Sequence, residues 1–209
     1  MGRAGVAPGA RMADVALDRV CIYCGSNLGR DPAFRDAAAA VGAGLAAEGI
    51  TVVYGGGNVG LMGVVADAAL GAGGRVIGVI PEGLREKELA HHGLTELYVV
   101  PTMHKRKELM VDLADGFVAL PGGVGTWDEL CEVITWAQLG LHTKPMVLHD
   151  VAGYWDPFVA LLDRAVDAGF VTAQHRSSVQ RSHDLDGLLT ALRRPPAPPS
   201  PKWIDRTAR

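Results

Sequence analysis

The chain has little cysteine, few aromatic residues and no excess of either charge. Three cysteines in 209 residues do not build a disulfide scaffold and fit a reducing compartment. Cys21 and Cys24 match a C-x-x-C pattern, but both sit in an apolar run, and no second Cys or His pair supplies the remaining ligands of a zinc site. Buried thiols are the expectation there. Twenty Lys and Arg against 23 Asp and Glu leave a net charge of -3, which excludes binding nucleic acid by bulk charge. No apolar run approaches the roughly 18 residues of a membrane span. Residues 1–18 hold Arg3 and Arg11 but no continuous apolar stretch, so no secretory signal is expected and the expected location is cytoplasmic.

What the chain does have is ordinary globular content, 48% apolar and 21% charged, and an excess of glycine, 27 residues, roughly twice the average share. Short β-branched runs at 20–24, 51–54, 75–80, 97–100, 116–120 and 146–150, with a weak one at 178–181, read as strands. They alternate with helical patterns at 32–48, 61–70, 103–113, 126–139, 155–168 and 185–192. Strands that are apolar throughout, alternating with helices, specify a parallel sheet covered on both faces. The fold class is therefore α/β, a Rossmann-like doubly wound sheet in a single domain over 19–192. A flexible extension is expected over 1–18. The tail over 193–209 carries Pro195, Pro196, Pro198, Pro199 and Pro201, which deny it regular structure.

Much of the glycine falls in clusters directly after strands. The first reads GGGNVGLMG at 55–63, and Gly55, Gly57 and Gly60 satisfy G-x-G-x-x-G with Glu82 22 residues on. Two readings stand: a dinucleotide site, or a tight strand-to-helix turn with close packing. The second cluster, PGGVGTWDE at 121–129, is more specific. Glycines at 122, 123 and 125 free backbone N–H groups to converge on one anion, and the following helix adds its positive end. A phosphate is the natural occupant. No G-x-x-x-x-G-K-[ST] occurs, so triphosphate chemistry is disfavoured.

Glu129, placed in the first turn of that helix, either answers the helix dipole or serves a site. The site reading gains from Glu132, which shares a face with it by i, i+3 spacing, away from the core stripe of Leu130, Val133, Ile134 and Ala137. A third segment, MHKRK at 103–107, opens another helix with three cations that run against its dipole. Its Arg106 suits a phosphate or a carboxylate. The histidines show no metal-binding spacing, and no metal is expected.

These segments, with ITWAQLGLHTKP at 134–145, resemble the LOG, or Lonely Guy, family of cytokinin-activating phosphoribohydrolases. The likeness runs from about residue 20 to about residue 192. It implies hydrolysis of the N-glycosidic bond of an N6-substituted adenosine 5'-monophosphate to free base and ribose 5-phosphate, with no cofactor. It implies Arg106 and Glu129 as the catalytic pair. Substrate contacts would come from Glu88, Met103, Lys107, Thr135, Gly56, Gly57 and the loop Gly122, Gly123, Val124, Gly125 and Thr126. It also implies a homodimer or larger homo-oligomer with its site near the subunit boundary. Thr102, Val124 and Asn58 depart from the family's common Asp, aromatic and Ser. The alternatives are a broader hydrolase of unmodified AMP and a nucleotide-binding or carrier module without chemistry.

Overall fold

The computed structural model describes residues 17–85 and 90–194. Its strands are β1 (Arg19–Tyr23), β2 (Thr51–Tyr54), β3 (Val76–Pro81), β4 (Glu96–Val100), β5 (Gly116–Ala119), β6 (Met146–His149) and β7 (Val179–Ser182). The helices are α1 (Pro32–Ala47), α2 (Gly60–Gly71), α3 (Glu82–Arg85), α4 (Met103–Leu113), α5 (Val124–Gln138), α6 (Asp156–Asp167), α7 (Ala173–Ser177) and α8 (Leu185–Arg193). All seven strands are parallel, in the order β4-β3-β2-β1-β5-β6-β7. This is the doubly wound sheet that the alternation of elements predicts.

The period of two along β1 explains why both faces are covered. Val20, Ile22 and Cys24 face one core layer, while Cys21 and Tyr23 face the other. The first layer holds α1, α2 and α8, through residues such as Leu45, Leu61 and Leu188; the second holds α4, α5 and α6, through Met110, Leu130 and Phe158. Trp155, just before α6, is fully enclosed in the second layer. Cys21 and Cys24 are buried and unpaired, and burial pushes both thiols well above the ordinary cysteine range, with the nearby Glu129 carboxylate adding to it.

Short polar side chains start the helices. Asp31 accepts from Ala33 N at 2.9 Å with Pro32 following, Thr102 accepts from Lys105 N at 3.2 Å, and Asp184 accepts from Gly187 N at 2.7 Å. Leu17 packs against the first core layer, the Asp18 carbonyl accepts Thr51 N, and the Asp18 N–H reaches Asp115 Oδ2 at 3.0 Å. The first sixteen residues and the proline-rich tail from 195 lie outside the described residues. Strand β4 differs from the expectation of apolar burial throughout. It is one of the sheet's two edges, and Leu97, Tyr98 and Val99 are exposed. Among the described residues, no helix is long and apolar enough to cross a membrane.

Candidate active site

The order of strands reverses between β1 and β5, and the connections leaving their C-terminal ends run to helices on opposite faces of the sheet, the place where such folds open a crevice. The loops leaving these two strands are tied together there. Gly25 N donates to Pro121 O at 3.1 Å, and Gly25 O accepts from Leu61 N at 3.0 Å, which joins α2 to the same point. A cavity of about 290 Å³ lies between the loops, walled by Ser26, Asn27, Phe34, Gly122, Gly123 and Tyr154 among others.

The N-terminus of α5 opens beside this cavity. Gly123 stands at the N-cap, and no side chain caps the helix. The first amides of a helix have no partner within it, so those of Val124, Gly125 and Thr126 remain available to an anion. A Cβ added at Gly123 or Gly125 would meet nothing within 4 Å, whereas one at Gly122 would strike Thr126 Oγ1 at 2.2 Å. Gly122 thus makes room for the buried Thr126 hydroxyl, and the other two glycines face open space. Val124 is 73% exposed.

The helix begins at Val124, two residues earlier than its sequence pattern suggests, because Gly125 and a β-branched residue hide its first turn. Glu129 therefore lies in the second turn, not the first. The dipole effect fades within one turn, so the helix end does not account for this acid. Half-buried, Glu129 raises the pKa of the Cys21 and Cys24 thiols, while Arg106 lowers both. Both charges are therefore felt at Cys21 in β1 and at Cys24 just beyond it. Neither charge is free.

Arg106 comes from the first turn of α4 and is 6% exposed. Its Nε donates to Val79 O at 3.1 Å and its Nη2 to Gly55 O at 3.0 Å, while Nη1 lies 3.5 Å from Met103 Sδ. A Cβ at residue 55 would sit 1.9 Å from Nη2. Gly55 therefore serves close approach by a protein group. Gly56 and Gly57 are buried, with Gly56 O accepting from His91 N at 3.0 Å and Gly57 bridged to Ala90. His91 accepts from Gly93 N on Nδ1, which leaves Nε2–H to bond Asp67 Oδ1 at 2.9 Å.

Lys107 Nζ sits 3.1 Å from both Asp128 Oδ2 and Glu132 Oε2. Burial pulls the ammonium down, but the two acids outweigh it and hold its pKa above the usual lysine value. Glu132 is thus committed to a cation. Met103 is exposed at the mouth of α4. Thr135 is exposed six residues beyond Glu129, its hydroxyl donating to Cys131 O at 2.8 Å. Glu88 lies outside the described residues. Among the described residues no group of three His, Cys, Asp or Glu is arranged to hold a metal ion.

Two parts of the crevice went unread in the sequence. The Gly25-Ser26-Asn27 turn carries the same signal as the other clusters, glycine directly after an apolar strand. Tyr154, from the loop between β6 and α6, donates its hydroxyl to Gly122 O and accepts Trp127 Nε1–H at 3.1 Å. Nothing in its local sequence announces that contact.

Comparison with known proteins gives a consistent picture. The family described as "Possible lysine decarboxylase" matches residues 62–192. The chain is 48% identical over 177 residues to the cytokinin riboside 5'-monophosphate phosphoribohydrolase of Rhodococcoides fascians, covering 84% of this chain and 89% of that one. It is 44% identical over 174 residues to cytokinin riboside 5'-monophosphate phosphoribohydrolase LOG2 of Arabidopsis thaliana, covering 83% and 82% respectively. Among solved structures, the molybdenum cofactor binding protein of Rippkaea orientalis superposes with a TM-score of 0.62 at 20% identity, covering 84% of this chain and 94% of that one. At that identity the likeness concerns the fold alone.

Proposed function

We propose, from the premise that this chain belongs to the LOG family of phosphoribohydrolases, that it hydrolyses N6-substituted adenosine 5'-monophosphates to the free base and ribose 5-phosphate. The observation that carries the reading is that an uncapped helix N-terminus, with Glu129 on the same helix, and the carbonyl-locked guanidinium of Arg106 both stand at the C-terminal ends of the parallel strands. One part suits a phosphomonoester and the other a reacting sugar.

In this reading the 5'-phosphate docks on the amides of residues 123–126, beside Gly122, and its binding energy positions the ribose. Departure of the base with the C–N bonding pair, its nitrogen taking up a proton to give the neutral free base, builds positive charge on the ribosyl carbon, and the proton taken from water makes up the balance. The Glu129 carboxylate stabilises that charge and takes a proton from the attacking water, whose oxygen bonds to the anomeric carbon. Arg106, locked by two backbone carbonyls, holds substrate in register without having to reorganise. Lys107 ties α4 to α5 through Asp128 and Glu132. Glu88, Met103, Thr135, Gly56 and Gly57 complete the substrate contacts. Exposed Val124, Leu139 and Leu141 at the two ends of α5 support a subunit boundary along that helix.

The test is incubation with isopentenyladenosine 5'-monophosphate, AMP and isopentenyladenosine side by side, following released base by chromatography. Free isopentenyladenine from the nucleotide, with little from the riboside, is expected. Absence of base above the enzyme-free control rejects the reading, and preference for AMP redirects it to the broader hydrolase. Sedimentation at micromolar concentration is expected to give a dimer or a multiple of it.

A further inference from the structure

We propose that Tyr154 is a positioning residue that sets the α5 amides for a phosphomonoester; this rests on the reading that the site takes a 5'-monophosphate. Its hydroxyl reaches both ends of the cradle. It donates to Gly122 O on the entering side and accepts from Trp127 Nε1 at 3.1 Å on the leaving side, so residues 123–126 are braced from a loop outside the helix. The brace aims the donors because a peptide unit is planar and trans. Fixing the direction of Gly122 C=O fixes that of Gly123 N–H with it.

The tyrosine is itself held on every side. Its ring meets Phe34 edge-on at 6.0 Å and 80°, and Trp155 at 5.1 Å and 87°. Trp155 is anchored by its indole N–H on Ala119 O at 3.2 Å and its backbone N–H on Asp150 Oδ1 at 2.8 Å. The other Asp150 oxygen is gripped by Arg181, which also reaches Asp156. Ala152 at φ 53, a strained value for a residue with a side chain, precedes Gly153 at φ +71 and turns the chain to present Tyr154. This scaffolding ends on a single hydroxyl at the edge of an open cradle. Phe34 and Tyr154 also wall the cavity beside Gly122, so the brace lies where the ligand's phosphate approaches.

The test is Tyr154→Phe, which keeps the ring and removes the hydroxyl. Relative to the unchanged protein, kcat/KM for the nucleotide 5'-monophosphate is expected to fall about tenfold, some 1.4 kcal/mol, while kcat/KM for the corresponding riboside stays within about twofold, an allowance for non-additive effects. Calorimetry with ribose 5-phosphate, which needs no turnover, is expected to show a matching loss of affinity of about tenfold. A merely structural tyrosine would lower both substrates together and shift the thermal midpoint. Trp127→Phe removes one of the two hydrogen bonds, and its effect is expected to be smaller, about threefold.

An unchanged ratio between the two substrates together with unchanged ribose 5-phosphate affinity overturns the proposal. So does a larger effect from Trp127→Phe, which would assign the role to the indole. If the unchanged protein binds ribose 5-phosphate and Tyr154→Phe weakens it, yet no nucleotide is cleaved, the brace stands and the hydrolase reading falls. If nucleotide is cleaved equally by both proteins, the hydrolase reading stands and the brace falls.

Discussion

The two glycine clusters look alike in sequence, yet Gly55 in the first and Gly123 and Gly125 in the second do opposite things. Between β2 and α2, the space a side chain at residue 55 would need is taken by the guanidinium of Arg106, 1.9 Å away. Between β5 and α5, Gly123 and Gly125 face no protein atom within 4 Å. Glycine after a strand therefore reports only that something must come close. Whether that something belongs to the protein or to a ligand depends on segments distant in sequence, here a helix 51 residues further on.

The comparison is sharpest where chemistry is concerned. If the second loop delivers substrate to the acid on its helix, Glu129→Gln, which keeps the size and removes the charge, is expected to lower kcat by about 100-fold or more. Single-turnover release of base from the nucleotide checks it, and a near-normal rate would detach the acid from the reaction. Arg106→Ala is a less clean probe of turnover. It leaves the Gly55 and Val79 carbonyls without their buried donor, at a cost of roughly 1–3 kcal/mol for each unsatisfied group.

Paired alanine substitutions separate the loops directly. Gly55→Ala is expected to lose about 1–3 kcal/mol of stability by overpacking and to lower turnover by displacing the guanidinium. Gly125→Ala lies within a helix and meets empty space, so stability is expected to hold or rise by up to about 1 kcal/mol, while ribose 5-phosphate binding weakens. Urea unfolding and calorimetry on both variants decide it. A reversed outcome, with Gly125→Ala destabilised and Gly55→Ala neutral, would erase the distinction between the loops.

The smallest expected effect concerns the far end of α5. His142 accepts from Lys144 N on Nδ1 at 3.2 Å and bonds Val133 O through Nε2 at 2.8 Å, so it is held neutral. Burial lowers its pKa, assisted by Lys144 and opposed by the bond to Val133 O; burial also lowers that of His149. A folded-state value below the unfolded one, near 6.5 for histidine, means that the unfolded chain binds more protons between the two. Stability is then full above about pH 6.5 and falls as the solution is acidified below it. The urea midpoint is expected to drop between pH 7.5 and 5.5, and His142→Gln should reduce that drop. A flat profile would remove the histidines from the account.

The sheet was legible because its signals are local. Each buried strand is a run of apolar residues, and β1 at the centre is Val-Cys-Ile-Tyr with no polar interruption. Helix α7, five residues with His175 and Arg176 at its end, has too little pattern to be read, and only four residues of α3, Glu82–Arg85, are described. The edge position of β4 was hidden as well, since Leu97, Tyr98 and Val99 look like core in sequence. The loop at 122–126 and the helix it opens were legible as structure because the two are contiguous. The seat of Arg106 on Gly55 and the reach of Tyr154 to Gly122 were not, because each joins segments that only the folded chain brings together.

The fit between Gly55 and Arg106 has one more consequence. These two positions form a single unit of inheritance: a methyl group restored at the first evicts the cation from the second. A redesign that moves this scaffold to other chemistry can free the end of β2 for a side chain only by first giving up the guanidinium. Conversely, any chain that retains the arginine in this seat has its choice at residue 55 already made.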